Sequence, residues 1–187
     1  MKPSIIVLDD FYNNPDQVRE YALSLPFNVY GNYPGGRTSN QINDNTKNFI
    51  QEIIFPVAGK VVNWLDDDSG YTGAFQICLQ HETTWIHQDD YNNWAGVLYL
   101  SPNAPLNTGT SFYRHKATSS CDSSLVGHSL DDDGNDYSKW DEVDVVKNKY
   151  NRLILFRANQ FHASTNHFGN NLRNGRLTQV FFIQTER

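Results

Sequence analysis

The chain has 187 residues, of which 13% are aromatic, and it carries a formal net charge of −6 at pH 7. This length is enough for one domain with a substantial core, and the aromatic content suits a core built on β-sheet. The negative charge opposes binding to nucleic-acid phosphates and to anionic membrane surfaces, so neither is an expected partner.

No segment has the features of a targeting or membrane-spanning sequence. The N-terminal apolar run, Ile5 to Leu8, is too short for the core of a signal peptide. No stretch approaches the roughly 18 apolar residues of a membrane span. Two cysteines, Cys78 and Cys121, do not make a disulfide framework. We therefore expect a soluble, cytoplasmic protein.

The first third of the chain predicts one strand and two helices. The segment SIIVLDDF (residues 4–11) has the apolar run of an opening strand. The segment NNPDQVREYALSL (13–25) predicts a helix, since Pro15 suits the first helical position. From residue 49 to 65 the apolar side chains recur at helical spacing, which predicts a long helix that Pro56 kinks or splits.

After residue 73 the pattern changes to short segments of strand character bounded by turn residues, and no repeat or linker divides the chain. Helices followed by strands indicate an α+β, mainly β fold whose antiparallel sheets form a sandwich or barrel. We expect one domain over 1–187, with a helical part to about residue 70 and a β core from about residue 71. The predicted strands are residues 74–80, 94–100, 110–115, 152–158 and 176–184.

Residues 117–140 are polar, rich in Ser, Asp and Gly, and about twice the usual loop length. Such a segment contributes little to a core. We expect it to be mobile without substrate and to act as a lid at the mouth of a site.

The segment WIHQDDYNNW (85–94) places a histidine and acids in a context that otherwise resembles buried sheet. Side chains two apart on a strand share a face, so His87 and Asp89 point one way and Asp90 points the other. Buried charge is costly unless it is paired or bound to a metal. A third ligand from another strand would complete a 2-His-1-carboxylate site with open coordination positions.

The candidate third ligand lies in NRLILFRANQFHAS (151–164). His162 follows a predicted buried strand and a short turn, where its side chain can project over the sheet end. His167 is the competing choice. We prefer His162 because it is nearer the strand.

The last predicted strand supplies a possible anion site. Arg176 and Thr178 are two residues apart and share a face, and a guanidinium beside a hydroxyl can hold a carboxylate by two or three hydrogen bonds. Arg173 remains a rival for this role.

These elements together resemble the iron(II)- and 2-oxoglutarate-dependent oxygenases, most closely their prolyl-hydroxylase-like branch. The motifs that carry the resemblance are His87-x-Asp89, the later His162, and Arg176-x-Thr178.

The intervening strands extend the resemblance over about residues 73–185. VLYLS (97–101) and NTGTSFYRH (107–115) resemble the branch's Tyr-Leu strand and Gly-Gly-x-Thr-x-Phe turn, with Asn107-Thr108 in place of the first glycine.

The resemblance implies a double-stranded β-helix (jelly-roll) core with the N-terminal helices packed on one sheet. It also implies Fe(II) held by His87, Asp89 and His162, with 2-oxoglutarate and dioxygen as co-substrates. Arg176 and Thr178 would bind the distal carboxylate of 2-oxoglutarate.

One feature departs from the branch. A tyrosine that usually precedes the metal-binding strand and contacts 2-oxoglutarate is missing, and Gln76, Gln80 or Tyr99 are the candidate substitutes.

Two other classes of function stay open. The first is a non-enzymatic β-sandwich binding module, for example for carbohydrate. The second is a zinc hydrolase or isomerase that uses the same three ligands. For an oxygenase, the substrate could be an amino acid, a peptide side chain or a small metabolite, and the sequence indicates no oligomeric state.

Overall fold

The computed structural model describes residues 4–66, 71–89 and 91–186. In this part of the chain the α-helices are α1 (Pro15–Ser24) and α2 (Asp44–Ala58), and 3₁₀ helices cover Gly127–Asn135 and Tyr137–Lys139. The strands are β1 (Ile5–Leu8), β2 (Gly36–Arg37), β3 (Val61–Asn63), β4 (Phe75–Cys78), β5 (Trp94–Tyr99), β6 (Gly109–His115), β7 (Trp140–Lys147), β8 (Leu153–Arg157), β9 (His162–Thr165) and β10 (Arg176–Thr185). The five strands predicted after residue 73 correspond to β4, β5, β6, β8 and β10.

The larger sheet, here called the major sheet, has seven antiparallel strands in the order β1-β8-β5-β10-β4-β2, with β3 paired to the end of β10. The last strand therefore lies between β5 and β4. Thr178 of β10 is directly opposite Tyr99 on β5 and Gln76 on β4. Residues opposite each other in antiparallel strands share a face, so these three form one row across the sheet.

The minor sheet contains three strands in the order β7-β6-β9. His87 pairs with His162 at the start of β9 as an isolated bridge. The strand predicted around residue 87 is therefore reduced to a single bridge at the edge of this sheet. Side chains from the two sheets pack together in a buried apolar cluster that includes Tyr99 and Phe156 of the major sheet and Phe112 of the minor sheet.

The two helices cover the opposite face of the major sheet. In α2 the buried residues Thr46, Ile50, Ile54 and Ala58 recur every four positions, which places them on one face of the helix. They join a core cluster with buried side chains of β4, β5, β8 and β10. The α+β, mainly β architecture with helices on one sheet is thus confirmed. No described helix is long and apolar enough to cross a membrane.

The second helix differs from its prediction at both ends. It begins at Asp44, where the Asn43 side chain accepts a hydrogen bond from the Thr46 N–H at 3.0 Å. It ends at Ala58, because Gly59 leaves helical geometry at a φ of 75°. The predicted extension to residue 65 is wrong: Val61–Asn63 forms β3, which pairs with β10.

Residues 117–140 include the two 3₁₀ helices. Leu130 and Trp140 are buried in a second core cluster, so the expectation that this segment adds little to the core is wrong. The Ile86 N–H donates to the carbonyl of Gly134 at 2.9 Å, which joins the segment to the chain just before His87. Its mobility stays a prediction.

Candidate metal centre and anion site

The backbone brings three candidate ligands together at one edge of the minor sheet. His87 and His162 exchange both bridge hydrogen bonds, at 3.0 Å and 2.9 Å between nitrogen and oxygen. Two residues on, the Asp89 N–H donates to the carbonyl of Ala158 at 2.8 Å. These bonds fix the backbone at both ends of the His87-x-Asp89 segment.

The side chains of these three residues converge. One ligand atom from each lies within 4.8 Å of the others. Asp89 carboxylate oxygens are 4.0 Å from His87 Nε2 and 3.4 Å from His162 Nε2. Among the described residues no other His, Cys, Asp or Glu joins this group. Asp90, which the sequence placed on the opposite face, lies outside the described residues.

Each histidine directs its Nε2 toward the Asp89 carboxylate. His87 Nδ1 is 3.0 Å from the carbonyl of Trp85, and His162 Nδ1 is 2.9 Å from that of Gln160. A carbonyl can only accept, so in the neutral ring Nδ1 carries the hydrogen and Nε2 is free to bind a metal.

The charge states also suit a metal. Burial, together with the neighbouring His162, lowers the pKa of His87 to about 4. Burial would raise the pKa of Asp89, but its hydrogen bond with His162 and the nearby histidine charges outweigh this and lower it. Near neutral pH, His87 is therefore neutral and Asp89 ionised, which are the forms that ligate metals.

His167 does not belong to this cluster. Its Nε2 is 2.7 Å from Ser164 Oγ, and its Nδ1 is 2.9 Å from the Glu82 carbonyl. Burial and the nearby charge of Arg176 lower the pKa of His167 to about 4, so this ring is also neutral. With both nitrogens bonded to protein groups, it has none left for a metal.

Arg176 and Thr178 line the same cavity as the three ligands. Arg176 is only 4% exposed, and its hydrogen bond, from NH2 to the carbonyl of Gly109, is long at 3.3 Å. Arg176 Nε and Thr178 Oγ1 are buried without a hydrogen-bond partner. Buried polar groups are nearly always satisfied, so this pair suits an acceptor supplied by a ligand. Arg173, the rival, is 75% exposed and faces Glu20.

Tyr99 and Gln76 flank Thr178 in its row, but both are already hydrogen-bonded. The Tyr99 hydroxyl lies 2.8 Å from Thr110 Oγ1. Gln76 accepts from Arg37 Nε at 2.9 Å and donates to the Pro34 carbonyl at 2.7 Å. Of the two, Gln76 lines the cavity. Gln80 lies outside the residues that line it.

Arg37 is a site residue that the sequence interpretation missed. Its guanidinium lines the cavity and acts electrostatically on both His87 and Asp89. The available signal was a single arginine after two glycines in YPGGRTSN (33–40). Gly36 precedes it, where a Cβ would lie 2.8 Å from the Phe27 carbonyl, so the chain can approach closely only without a side chain there.

Comparison with protein families gives one match by sequence: residues 1–128 match the family model DUF6445, described as a family of unknown function. This range is more than half of the chain and includes His87 and Asp89. No curated protein sequence gives a significant match.

Solved structures with a similar fold are more informative. HygX from Streptomyces hygroscopicus, with nickel, 2-oxoglutarate and hygromycin B bound, has a TM-score of 0.65 and 11% identity over 98% of this chain and 83% of its own. The 2-oxoglutarate-dependent carbocyclase SnoK from nogalamycin biosynthesis has a TM-score of 0.62 and 12% identity, covering 98% and 80%. A prolyl hydroxylase from Trichoplax adhaerens, in complex with a hypoxia inducible factor peptide, has a TM-score of 0.53 and 14% identity, covering 98% and 84%. At these identities the likeness shows that the fold is shared with iron- and 2-oxoglutarate-dependent oxygenases.

Proposed function

The chain belongs to the family DUF6445, and we propose that it is an Fe(II)- and 2-oxoglutarate-dependent oxygenase. The observation that carries the proposal is one cavity with two complementary ends. Three metal-ligating groups converge at one end, and a buried guanidinium with a partnerless nitrogen lies with a partnerless hydroxyl in the same wall. The two sheets are then those of a double-stranded β-helix, within a single domain over 1–187.

The donor set fits the proposed metal. Two imidazoles, each oriented by a backbone carbonyl, and a carboxylate are the ligand types that bind Fe(II) and leave coordination positions open. His87, Asp89 and His162 would hold the ion. Bound there with 2-oxoglutarate and dioxygen, Fe(II) supplies the oxidation of a substrate C–H bond, coupled to conversion of 2-oxoglutarate into succinate and carbon dioxide.

The protein groups around the metal bind, orient and exclude water. Arg176 would donate to the distal carboxylate of 2-oxoglutarate, and Thr178 would add a hydroxyl donor beside it. Tyr99, whose hydroxyl is bonded to Thr110, would support this end of the cavity. Apolar wall residues would help to exclude water and so strengthen these charged contacts; they are Ala95, Val97, Phe156 and Val180.

Hydroxylation of a small molecule or of a peptide side chain is the reaction we propose. The relatives by fold include a carbocyclase and an epimerase as well as a prolyl hydroxylase, so the fold supports the oxygenase class more broadly than it supports one reaction. A zinc hydrolase, an isomerase or a carbohydrate-binding module does not need a buried cation in the metal cavity. No described residue favours these alternatives.

Anoxic titration tests the proposal directly. The protein is loaded with Fe(II) and titrated with 2-oxoglutarate while visible absorption is recorded. We expect a charge-transfer band in the wild type and none in Asp89→Asn, because loss of the carboxylate charge weakens the metal site. Asp131→Asn, which removes an exposed acid of a neighbouring groove lined by Tyr91 and His128, is the matched control and should retain the band. Absence of any 2-oxoglutarate binding by the wild type would overturn the proposal.

A further inference from the structure

We propose that Arg37 is the residue that recognises the primary substrate, and that this substrate is a small molecule with a carboxylate group. This inference rests on the proposed function, because it assigns Arg37 to the substrate side of the same metal centre.

Arg37 is a rigid, buried cation. It is 7% exposed, and its Nε donates to Gln76, whose own amide is held by the Pro34 carbonyl. Its guanidinium carbon lies 3.7 Å from the centroid of the Tyr33 ring, and farther from two other rings; these are Tyr71 at 5.2 Å and Phe182 at 5.5 Å. Aromatic faces attract a guanidinium and fix its plane, but they supply no counter-charge.

No acidic side chain in the described parts of the chain forms an ion pair with Arg37 within 4.0 Å. The terminal nitrogens of Arg37, Nη1 and Nη2, donate to no described residue. A buried guanidinium without a carboxylate partner is costly, so an anion is expected to complete the site. Gln76 accepts a hydrogen bond only from the Nε of Arg37. The two terminal nitrogens of Arg37 therefore remain available for a bidentate contact with a carboxylate.

The position of Arg37 separates it from the 2-oxoglutarate end. Arg176 and Thr178 line only the inner cavity. Arg37 lines both that cavity and a larger outer groove of about 1020 Å³ that also reaches His87 and Asp89. An anion held by Arg37 would therefore lie where a substrate enters from the groove and still be next to the metal ligands.

Charge balance favours a singly charged anion. A divalent metal and doubly charged 2-oxoglutarate cancel each other. Among the described residues that line the inner cavity, this leaves the two guanidinium groups of Arg37 and Arg176 against the carboxylate of Asp89, which is one unbalanced positive charge. A carboxylate neutralises it, whereas a doubly charged phosphate would reverse it.

The groove also indicates the rest of the substrate. Aromatic rings line much of it beside Arg37, and they offer flat apolar surface for a ring or hydrocarbon body; they are Tyr33, Tyr71, Trp85, Tyr91 and Phe182. An acid with an apolar body fits this combination of one cation and several rings.

The test uses three probes that share a phenyl ring: phenylacetate, its neutral counterpart phenylacetamide, and phenyl phosphate. Each is titrated into the anoxic protein saturated with Fe(II) and 2-oxoglutarate, and binding is followed by the visible band and by calorimetry. We expect phenylacetate to bind at least about tenfold more tightly than either other probe, the factor typical of a charge-assisted hydrogen bond. Equal binding of the acid and the amide, or tighter binding of the phosphate, would overturn the proposal.

Variants assign the preference to Arg37. Arg37→Gln should lose it while keeping metal content and 2-oxoglutarate affinity, and Arg37→Lys should keep part of it. Arg157→Gln is the matched control, since Arg157 also stacks on an aromatic ring, that of Trp94, but lines neither cavity. The Arg157→Gln variant should still bind phenylacetate more tightly than the other two probes. Thermal melting checks that each variant is folded.

Two outcomes separate this proposal from the proposed function. If Arg37→Gln abolishes 2-oxoglutarate binding, Arg37 serves the co-substrate; the oxygenase stands and the substrate assignment fails. If the wild type binds no 2-oxoglutarate, the oxygenase proposal fails. Titration of the three probes into the metal-free protein then tests separately whether Arg37 forms an anion site. A preference for phenylacetate that Arg37→Gln removes would support the anion site, and its absence would overturn it.

Discussion

The two candidate histidine ligands are oriented by the same local device. In each, Nδ1 bonds to the backbone carbonyl two residues earlier, Trp85 for His87 and Gln160 for His162. The bond fixes the ring plane and the tautomer without using any distant side chain. The ligand geometry therefore depends on short segments whose backbones are joined by the bridge between the two histidines.

Replacing His162 should damage the metal site much more than replacing His167. His162→Ala removes a Nε2 that faces Asp89, whereas His167 has both ring nitrogens bonded to protein groups. We expect His162→Ala to lose most bound Fe(II) and His167→Ala to retain nearly stoichiometric metal. Metal content after anoxic loading and desalting measures this. Full metal content in His162→Ala would transfer the third-ligand role to another residue.

Arg176 should affect 2-oxoglutarate without affecting the metal. Truncating one partner of a buried charged pair leaves the other charge unpaired, so Arg176→Gln should weaken 2-oxoglutarate binding about 100-fold, equal to about 2.7 kcal/mol. Metal affinity should be unchanged, because the three metal ligands lie on other segments. The anoxic titration measures both quantities. Arg173→Gln is the control, and loss of binding there instead would reassign the anion contact.

At the scale of elements, local sequence signals predicted the presence of strands and helices better than their exact bounds. Pro15 marked the start of α1, and the alternation around Gln76 marked β4. The end of α2 could not be read from periodicity, because Val61 continues the helical spacing while its backbone pairs with β10. Whether the backbone at Val61 is helical or extended depends on a strand more than a hundred residues away in sequence.

The same contrast between local signals and distant contacts applies to the candidate site residues. Spacing singled out His87 and Asp89, which the structure brings close to His162; their role as metal ligands stays a prediction. Arg37 was missed because its significance comes from the rings around it, and these lie on separate segments. The contribution of residues 117–140 to the core was also missed: two apolar side chains, Leu130 and Trp140, pack in a buried cluster within an otherwise polar stretch.

A pH-dependent ion pair joins β1 to β8. Asp9, just after β1, accepts from Arg152 at 2.6 Å and from Lys149 at 2.7 Å. Hydrogen bonds from Arg152 and then Lys149 hold the pKa of Asp9 well below its usual value of 3.8. A lowered pKa in the folded state stabilises the protein above the unfolded pKa, and the contribution is lost as the pH falls below about 4.

Asp9→Asn should therefore destabilise the protein at neutral pH and have progressively less effect in acid. Asp9 is about one-third exposed, so we expect no more than about 1 kcal/mol. Urea unfolding of both proteins between pH 7 and pH 3 measures the difference. A difference that stays constant below pH 4 would contradict the ion-pair explanation. Asp132→Asn, at another exposed acidic position, controls for general loss of negative charge.

At the scale of the whole molecule, the proposed ligands would connect the two sheets. The bridge that holds the metal ligands belongs to the edge of the minor sheet, whereas Arg176 and Thr178 belong to the major sheet. A 2-oxoglutarate molecule that contacts the metal at one end and Arg176 at the other would therefore hold the sheets in one arrangement. Its stabilising effect should depend on both contacts together.

Thermal unfolding should show this dependence. A ligand at 100 times its dissociation constant stabilises the folded state by about 2.7 kcal/mol, which for a domain of this size raises Tm by about 5–10 °C. With Mn(II) in place of iron to avoid oxidation, we expect 2-oxoglutarate to add this increment to the metal-loaded wild type and almost none to the metal-free protein. Arg176→Gln should show the increment from metal and lose the one from 2-oxoglutarate, whereas Asp89→Asn should lose both. An equal rise in Tm with and without metal would mean that 2-oxoglutarate binds away from the His87, Asp89 and His162 cluster.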